Sequence, residues 1–468
     1  MAKKIIINPV TRISGFLQVE VLIENNIIAD AKSSGMLFRG FEKMLKGRSP
    51  LDAIYFTERI CGICSTAHSI VSTLALENAF RVVPSNNDKK VRDFIHGCEF
   101  LQNHIRHTYQ YTMPDYCYGK DINPTYDLME RDCKLPEDIN KRITNHYVDS
   151  FKYSRMAHEM LAELGGKAPH NHGVFVGGTT AEIEIDKYTK LKFLLGEIKS
   201  FIETIMLEDI NYIALYYPET FKYGKGYGNL MTFGCFNNYS DMGASYVDSK
   251  VSINGNIEAL NQNKIEESIE YSWYTGGSVE YTPENEDYRP DRSKKYAYSW
   301  IKAPRYKGYA MEVGPLARMI LSNKYTHGIS TMDRTIARVL EAIEITKIME
   351  ELLEEIKLGK SNSTEFTIPE IAKGSGLTDT TRGALGHWLS INEKKINNYS
   401  IITPSAWNLS PMDFKGIKGP VEKALIGIEV EDIKNPVEIG RAIRSFDPCV
   451  SCATHTVGQY NSIEVRVC

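Results

Sequence analysis

A chain of 468 residues with 42% hydrophobic and 24% charged side chains can bury a large apolar core and has the make-up of an ordinary globular protein. Its formal net charge of −4 implies no basic face, which argues against nucleic acid as a partner. Nine cysteines, an odd number with five of them scattered, do not form a secreted disulfide framework, and with no run of about 18 apolar residues no transmembrane helix is expected.

The start, "MAKKIIINPVTRISG", has two lysines but no long apolar region and no small-residue cleavage site. No signal peptide is therefore expected. The default location is cytoplasmic, with any membrane contact or export carried by a partner. In "FLQVEVLIE", Leu17, Val19, Val21 and Ile23 alternate with more polar residues, the period of a half-buried strand. Asn25-Asn26 then suits a hairpin turn, so residues 1–35 are expected to form an N-terminal β region. By its local residues alone, "RISG" (Arg12 to Gly15) is the connection into that strand.

Long amphipathic helices are expected next. Val91, Phe94, Ile95, Cys98, Leu101 and Ile105 form a helical stripe between Asp88 and about Thr112. Leu191, Leu194, Leu195, Ile198, Phe201, Ile202 and Ile205 repeat it between Thr189 and Ala214. Ile336, Val339, Leu340, Ile343 and Leu353 do so between Asp333 and Lys357, with Ser330 or Thr331 as the cap. The polar stretch 254–293, containing "YTPENEDYRPDRS", reads as a peripheral insertion of exposed hairpins and loops. No repeat or linker divides the chain. A single domain follows, α+β but mainly α, with a long-helix bundle core and peripheral β-hairpins.

Two Cys-x-x-Cys pairs stand near opposite ends: "RICGIC" (Arg59 to Cys64) and "DPCVSC" (Asp447 to Cys452). Together they can supply four thiolates, ligands that suit zinc, iron–sulfur clusters, copper(I) and nickel. Spacing alone leaves a structural zinc half-site or a redox dithiol open for each pair. The length between them is no obstacle, because loop closure costs only logarithmically with length.

The flanks narrow the choice. Arg59 to His68 matches R-x-C-G-x-C-x-x-x-H, and Asp447 to His455 matches D-P-C-x-x-C-x-x-H. With both, the chain resembles the large subunit of nickel–iron hydrogenases, most closely the uptake type. "LFRGFEKMLKGRSP", "GGKAPHNHGVFVGG", "YSWIKAPRY", "EVGPLAR" and "RGALGHW" look like family segments in family order, so the resemblance spans essentially the whole chain.

That resemblance implies the hydrogenase large-subunit fold and a hydrogenase activity, reversible heterolytic cleavage of H2. Cys61 and Cys449 would be terminal nickel ligands, and Cys64 and Cys452 would bridge nickel to an iron carrying carbon monoxide and cyanide. A terminal thiolate could take the proton. Arg382 and Ser405 match donors to the cyanides, although composition alone would make Arg382 a surface arginine at a helix start. Asp115 and Asp447 match acids lining the site with that arginine, and His68 a histidine supporting a bridging cysteine. Glu42, the backbone carbonyl of Ile401 and His455 match ligands of a second metal, magnesium or in some members iron.

Two positions depart from the family. Ser14 replaces the glutamate that usually relays the proton, so protons would leave through Ser14 plus water, or by way of Arg382 and Asp115. Thr381 replaces a proline lining the iron's ligand pocket, where its hydroxyl is expected to satisfy a loop carbonyl rather than a diatomic ligand. The remaining five cysteines lack iron–sulfur spacing, so the electrons need an iron–sulfur small subunit across a large interface. A maturation protease would cut after His455, making residues 456–468 a propeptide. Competing readings are a hydrogen sensor, which would lack such an extension, the quinone-side subunit of complex I, which lacks the cysteines, and a four-cysteine zinc protein.

Overall fold

Alternation at the N-terminus builds a three-stranded antiparallel sheet of β1 (Lys3–Ile7), β2 (Leu17–Glu24) and β3 (Ile27–Gly35), in that order. Leu17, Val19, Val21 and Ile23 point inward and are fully buried. Glu24 faces Ile27 across a two-residue turn in which Asn25 (φ 51°) and Asn26 (φ 64°) are both left-handed. Asparagine tolerates that conformation, and its twist matches the strands. The computed structural model describes every residue except 1, 120–121, 123–132, 238–244, 277–279, 286–287, 362, 454–455 and 458–468. Among the described residues no helix is long and apolar enough to cross a membrane.

The helical core contains α1 (Ser65–Phe80), α2 (Asn86–Arg106), α3 (Glu137–Gly165), α4 (Ile185–Phe201) and α5 (Thr331–Glu355). Phe94, Ile95, Leu101 and Ile105 of α2 share one buried cluster with Leu191, Leu194 and Ile198 of α4 and Val339, Ile345 and Met349 of α5. At the start of α5, Ser330 Oγ accepts from the Asp333 N–H at 3.2 Å, and the Asp333 carboxylate accepts from the Ser330 N–H at 2.7 Å. This capping box satisfies two otherwise free backbone donors. Beyond Arg106, α2 continues as a π-helical turn (His107–Thr112) and a 3-10 turn (Met113–Asp115). A π turn at Ile202–Met206 likewise interrupts the helical path expected from Thr189 to Ala214.

One helix, α1, carries no clear stripe. α1 is buried on nearly every face, with Ser69, Ser72 and Thr73 beside Ile70, Val71 and Leu76, so no polar side marks its period. The buried face of α3 includes Thr144, Ser150 and Ser154 beside Ile143, Met160 and Leu164. The stretch 254–293 is not wholly peripheral, a correction to the sequence reading. Ile257 is exposed, but the strand Ile265–Ser268 is buried, and Trp273 and Tyr274 pack with Phe38 and Trp300.

A second antiparallel sheet, β4 (Ile371–Thr380), β5 (Gly383–Asn392) and β6 (Lys395–Ile402), lies on α1. Thr380 pairs with Gly383, so Thr381 and Arg382 form the turn. Arg382 is therefore in a β-turn and is 2% exposed, not a surface residue at a helix start. Two glycines permit the close approach of sheet and helix. A Cβ at Gly374 would lie 2.2 Å from the Ala75 carbonyl oxygen, and one at Gly376 would lie 2.2 Å from that of Val71. Gly376→Val should therefore cost about 3 kcal/mol or more, since backbone is what must move. Thermal unfolding should show a clearly lowered Tm; an unchanged Tm would mean that β4 does not rest on α1 this way.

Candidate metal centre

The two cysteine pairs, 388 residues apart along the chain, lie against each other. Cys61 Sγ and Cys449 Sγ are 3.5 Å apart, and the sulfurs of Cys61, Cys64 and Cys449 all lie within 4.8 Å of one another. All three are buried and none is in a disulfide. The backbone of Cys452 is in the helical turn Val450–Ala453 that follows Cys449, but its side chain and the whole of His455 fall outside the described residues.

Local structure explains how each pair is held. Cys64 is the N-cap of α1, where the helix dipole and free N–H groups favour a thiolate. The Ile63 N–H points at Cys61 Sγ at 3.2 Å. The second pair is held by backbone bonds to the N-terminal segment. Ser14 N–H donates to the Pro448 carbonyl at 3.2 Å, and Val450 N–H donates to the Ser14 carbonyl at 2.8 Å. Gly15 has φ +86°, and a Cβ there would lie 2.7 Å from the Ser451 nitrogen, so this approach requires glycine. Cys449 N–H donates to Ser405 Oγ at 2.9 Å, leaving the serine hydroxyl hydrogen able to donate elsewhere.

Arg382 is clamped beside the sulfurs. Its Nε donates to the Asp447 carbonyl and stands 3.0 Å from Asp447 Oδ1, and its Nη2 donates to Asn103 Oδ1 at 2.9 Å. Burial opposes its charge, but Asp447 and the thiols of Cys449, Cys64 and Cys61 outweigh it and hold the guanidinium firmly protonated. Nη1 is buried with no hydrogen-bond partner among the described residues. Asp447 also accepts from Asn103 Nδ2 at 2.8 Å and Arg338 Nη1 at 3.2 Å. Burial pushes its carboxyl up, yet Arg382, His107 and Arg338 hold it well below the usual carboxylate range. Its backbone is left-handed (φ 53°), an uncommon state retained where surrounding contacts over-determine it.

Asp115 is placed differently. Its carboxylate accepts from Arg12 Nη2 at 2.5 Å and from Arg444 Nε at 2.6 Å, and its described contacts do not include Arg382. Burial raises its pKa, but the two arginines bring it down to about 2. A carboxylate so tightly paired stays charged at neutral pH, which counts against a proton route through Arg382 and Asp115. Thr381 requires a correction as well. Its own carbonyl accepts from Arg318 Nη2 at 3.1 Å, but its buried hydroxyl has no partner among the described residues and so satisfies no loop carbonyl there.

His68 Nδ1 lies 3.2 Å from His387 Nε2, and His387 Nδ1 lies 2.9 Å from the Tyr399 hydroxyl, which donates to Ser72 Oγ. Glu42 is buried; it accepts from the Ile401 N–H at 2.9 Å and from the Tyr288 hydroxyl, and lies 3.6 Å from Lys302 Nζ. Lys302 also meets Glu267 at 3.1 Å, whose carboxyl burial raises to about 7, with Lys302 opposing and Glu42 adding to the shift.

Several site neighbours escaped the sequence reading. Glu99, Asn103 and His107 recur every four residues along α2 and its extension, a buried polar line on a helix that also buries Arg92, His96 and His104. That spacing was a usable signal. Glu99 accepts from the Thr66 and Ala67 N–H groups at 2.7 and 3.2 Å, capping the start of α1, and burial raises its carboxyl to about 7 despite those bonds. His387, Lys302 and Arg39 gave no such signal.

The chain belongs to the nickel-dependent hydrogenase family, whose model matches residues 39–123 and 121–455. It is a hydrogenase large subunit, an oxidoreductase of that class. It is 36% identical to the periplasmic NiFeSe hydrogenase large subunit of Desulfomicrobium baculatum, over 97% of this chain and 95% of the relative. It is 29% identical to the hydrogenase-2 large chain of Escherichia coli (strain K12), over 98% of each. Among solved structures, the Ni-Fe-Se hydrogenase of Desulfovibrio vulgaris Hildenborough in the reduced state superposes with a TM-score of 0.93 at 35% identity, covering 97% of this chain and 100% of that one. These relatives do not favour the sensor reading.

The pH dependence of stability tests the Asp115 clamp. Its folded pKa is depressed from 3.8 to about 2, so its stabilisation is fully present above pH 4 and is lost as pH falls through 2. Asp115→Asn should lower stability at neutral pH and flatten the acid limb between pH 4 and 2. An acid limb identical to wild type would show that the clamp contributes nothing.

Proposed function

We propose that this chain splits molecular hydrogen heterolytically and reversibly at a nickel–iron centre held by Cys61, Cys64, Cys449 and Cys452, and that the electrons pass to an iron–sulfur small subunit. The observation carrying this reading is the convergence of buried, unbridged thiols from both ends of the chain under a fully buried arginine. When bound, such a centre would supply a site where hydrogen binds and is polarised, with carbon monoxide and cyanide completing the iron.

The chain's own residues would do the rest. Cys61 and Cys449 would be terminal ligands, either able to hold the proton; Cys64 and Cys452 would bridge. Arg382 Nη1, a buried donor that costs about 1–3 kcal/mol when left unmet, fits an acceptor such as cyanide. Ser405 offers its free hydroxyl hydrogen to a second cyanide, and the unpartnered Thr381 hydroxyl supports donation to a diatomic ligand. Asp447 keeps Arg382 charged and oriented. His68 would steady Cys64 from behind, its proton shared with His387. The backbone bridge between Ser14 and Cys449 supports a first step for the departing proton through the Ser14 hydroxyl with water. Glu42, Ile401 and His455 would hold magnesium beside Lys302. A protease would act after His455, and any export would be carried by the small subunit.

Infrared spectroscopy and metal analysis of the purified pair test the centre. Nickel near one per chain, with carbon monoxide and cyanide stretching bands, is expected; zinc without those bands would select a structural four-cysteine site instead. Arg382→Lys keeps the charge but loses the fork, and should lower hydrogen turnover by roughly 10–100-fold with shifted cyanide bands. Ser14→Ala should slow both turnover and hydrogen–deuteron exchange; if both are unchanged, the serine route is wrong.

A further inference from the structure

Arg39 lies outside every role assigned above, in the two-residue strand Arg39–Gly40 just ahead of Glu42. Its guanidinium reaches both cysteine segments at once. Nη1 donates to the Arg59 carbonyl at 3.3 Å, and Nη2 donates to the carbonyls of Ile60 and Ser451. Ile60 immediately precedes Cys61, and Ser451 lies between Cys449 and Cys452. The head group packs against the Phe41 ring, 5.0 Å from its centroid, which fixes its plane. The same short strand pairs antiparallel with Thr456–Val457, so it grips the chain on the far side of the second pair as well.

We infer that Arg39 is a positioning residue, a latch that ties the second cysteine segment to the first. Ser14 holds one edge of the second segment through backbone bonds, and Arg39 holds the other through a charged side chain. A planar fork with several N–H donors can satisfy three carbonyls from two loops, whereas a lysine ammonium on a flexible stem cannot present them in one plane. The inference rests on the reading that the two pairs form one site, but not on which metal fills it.

The test uses the metal-free full-length chain and timed alkylation by iodoacetamide, with each cysteine followed by peptide mass. Arg39→Gln should speed labelling of Cys449 and Cys452 at least tenfold, and Arg39→Lys should fall between the two. Cys98 and Cys235, deep in the protein, should stay protected in every variant. Unchanged labelling of Cys449 and Cys452 in Arg39→Gln overturns the latch. So does equal unmasking of Cys98 and Cys235, which would make Arg39 a general strut. Nickel content and infrared bands of the loaded wild-type protein test the nickel–iron reading separately, so either can fail alone.

Discussion

Three thiols packed within a few ångströms, away from water, cannot all carry negative charge unless positive charge is built in around them. Much of the surrounding architecture answers that constraint. The N-terminus of α1 begins at Cys64, Arg382 is buried beside the sulfurs, and Asp447 keeps Arg382 in place while Arg338 and Asn103 keep Asp447 in place. Arg382 and Asp447 are thus each partnered, and their partners are themselves buried. A resident cation of two charges would complete the balance, which is why the same pocket that discourages free thiolates suits a metal.

The mechanical frame follows from the same need. The first pair lies just ahead of α1, with Cys64 as its N-cap, and Arg382 rides on the turn between β4 and β5; Gly374 and Gly376 bring α1 and β4 into direct contact. The second pair has no long element of its own. It is threaded between the N-terminal segment at Ser14 and the short strand at Arg39. Rigid secondary structure therefore presents one half of the centre, and backbone and guanidinium bonds present the other.

How much of this was legible in the sequence depended on how each residue announces itself. The alternation from Leu17 to Ile23, the Asn25-Asn26 turn and the stripes of α2, α4 and α5 carry their periods openly, and their structures follow them. α1 did not, because a helix buried on all sides has no polar face to mark its turns. The β4–β6 sheet was missed because its glycines and buried polar residues dilute the strand signal. At the site, the cysteines and Arg382 were found only through their motifs. Arg39, Lys302 and His387 each reach a partner hundreds of residues away, Ser451, Glu42 and His68 respectively, and a single sequence does not encode that proximity. Asp115 is a motif position whose partners, Arg12 and Arg444, the motif does not announce.

The separation of the cysteine pairs also has a kinetic side. Hairpins such as β2–β3 close over short stretches, whereas the contact between Cys61 and Cys449 closes a loop of most of the chain. Contacts of such high sequence separation form late, after local elements have reduced the search. The first pair, just ahead of α1, depends on local contacts and is an open half-site until the second segment arrives. The second segment can close over it only once the two ends of the chain have been brought together, and until then the interior is reachable from outside.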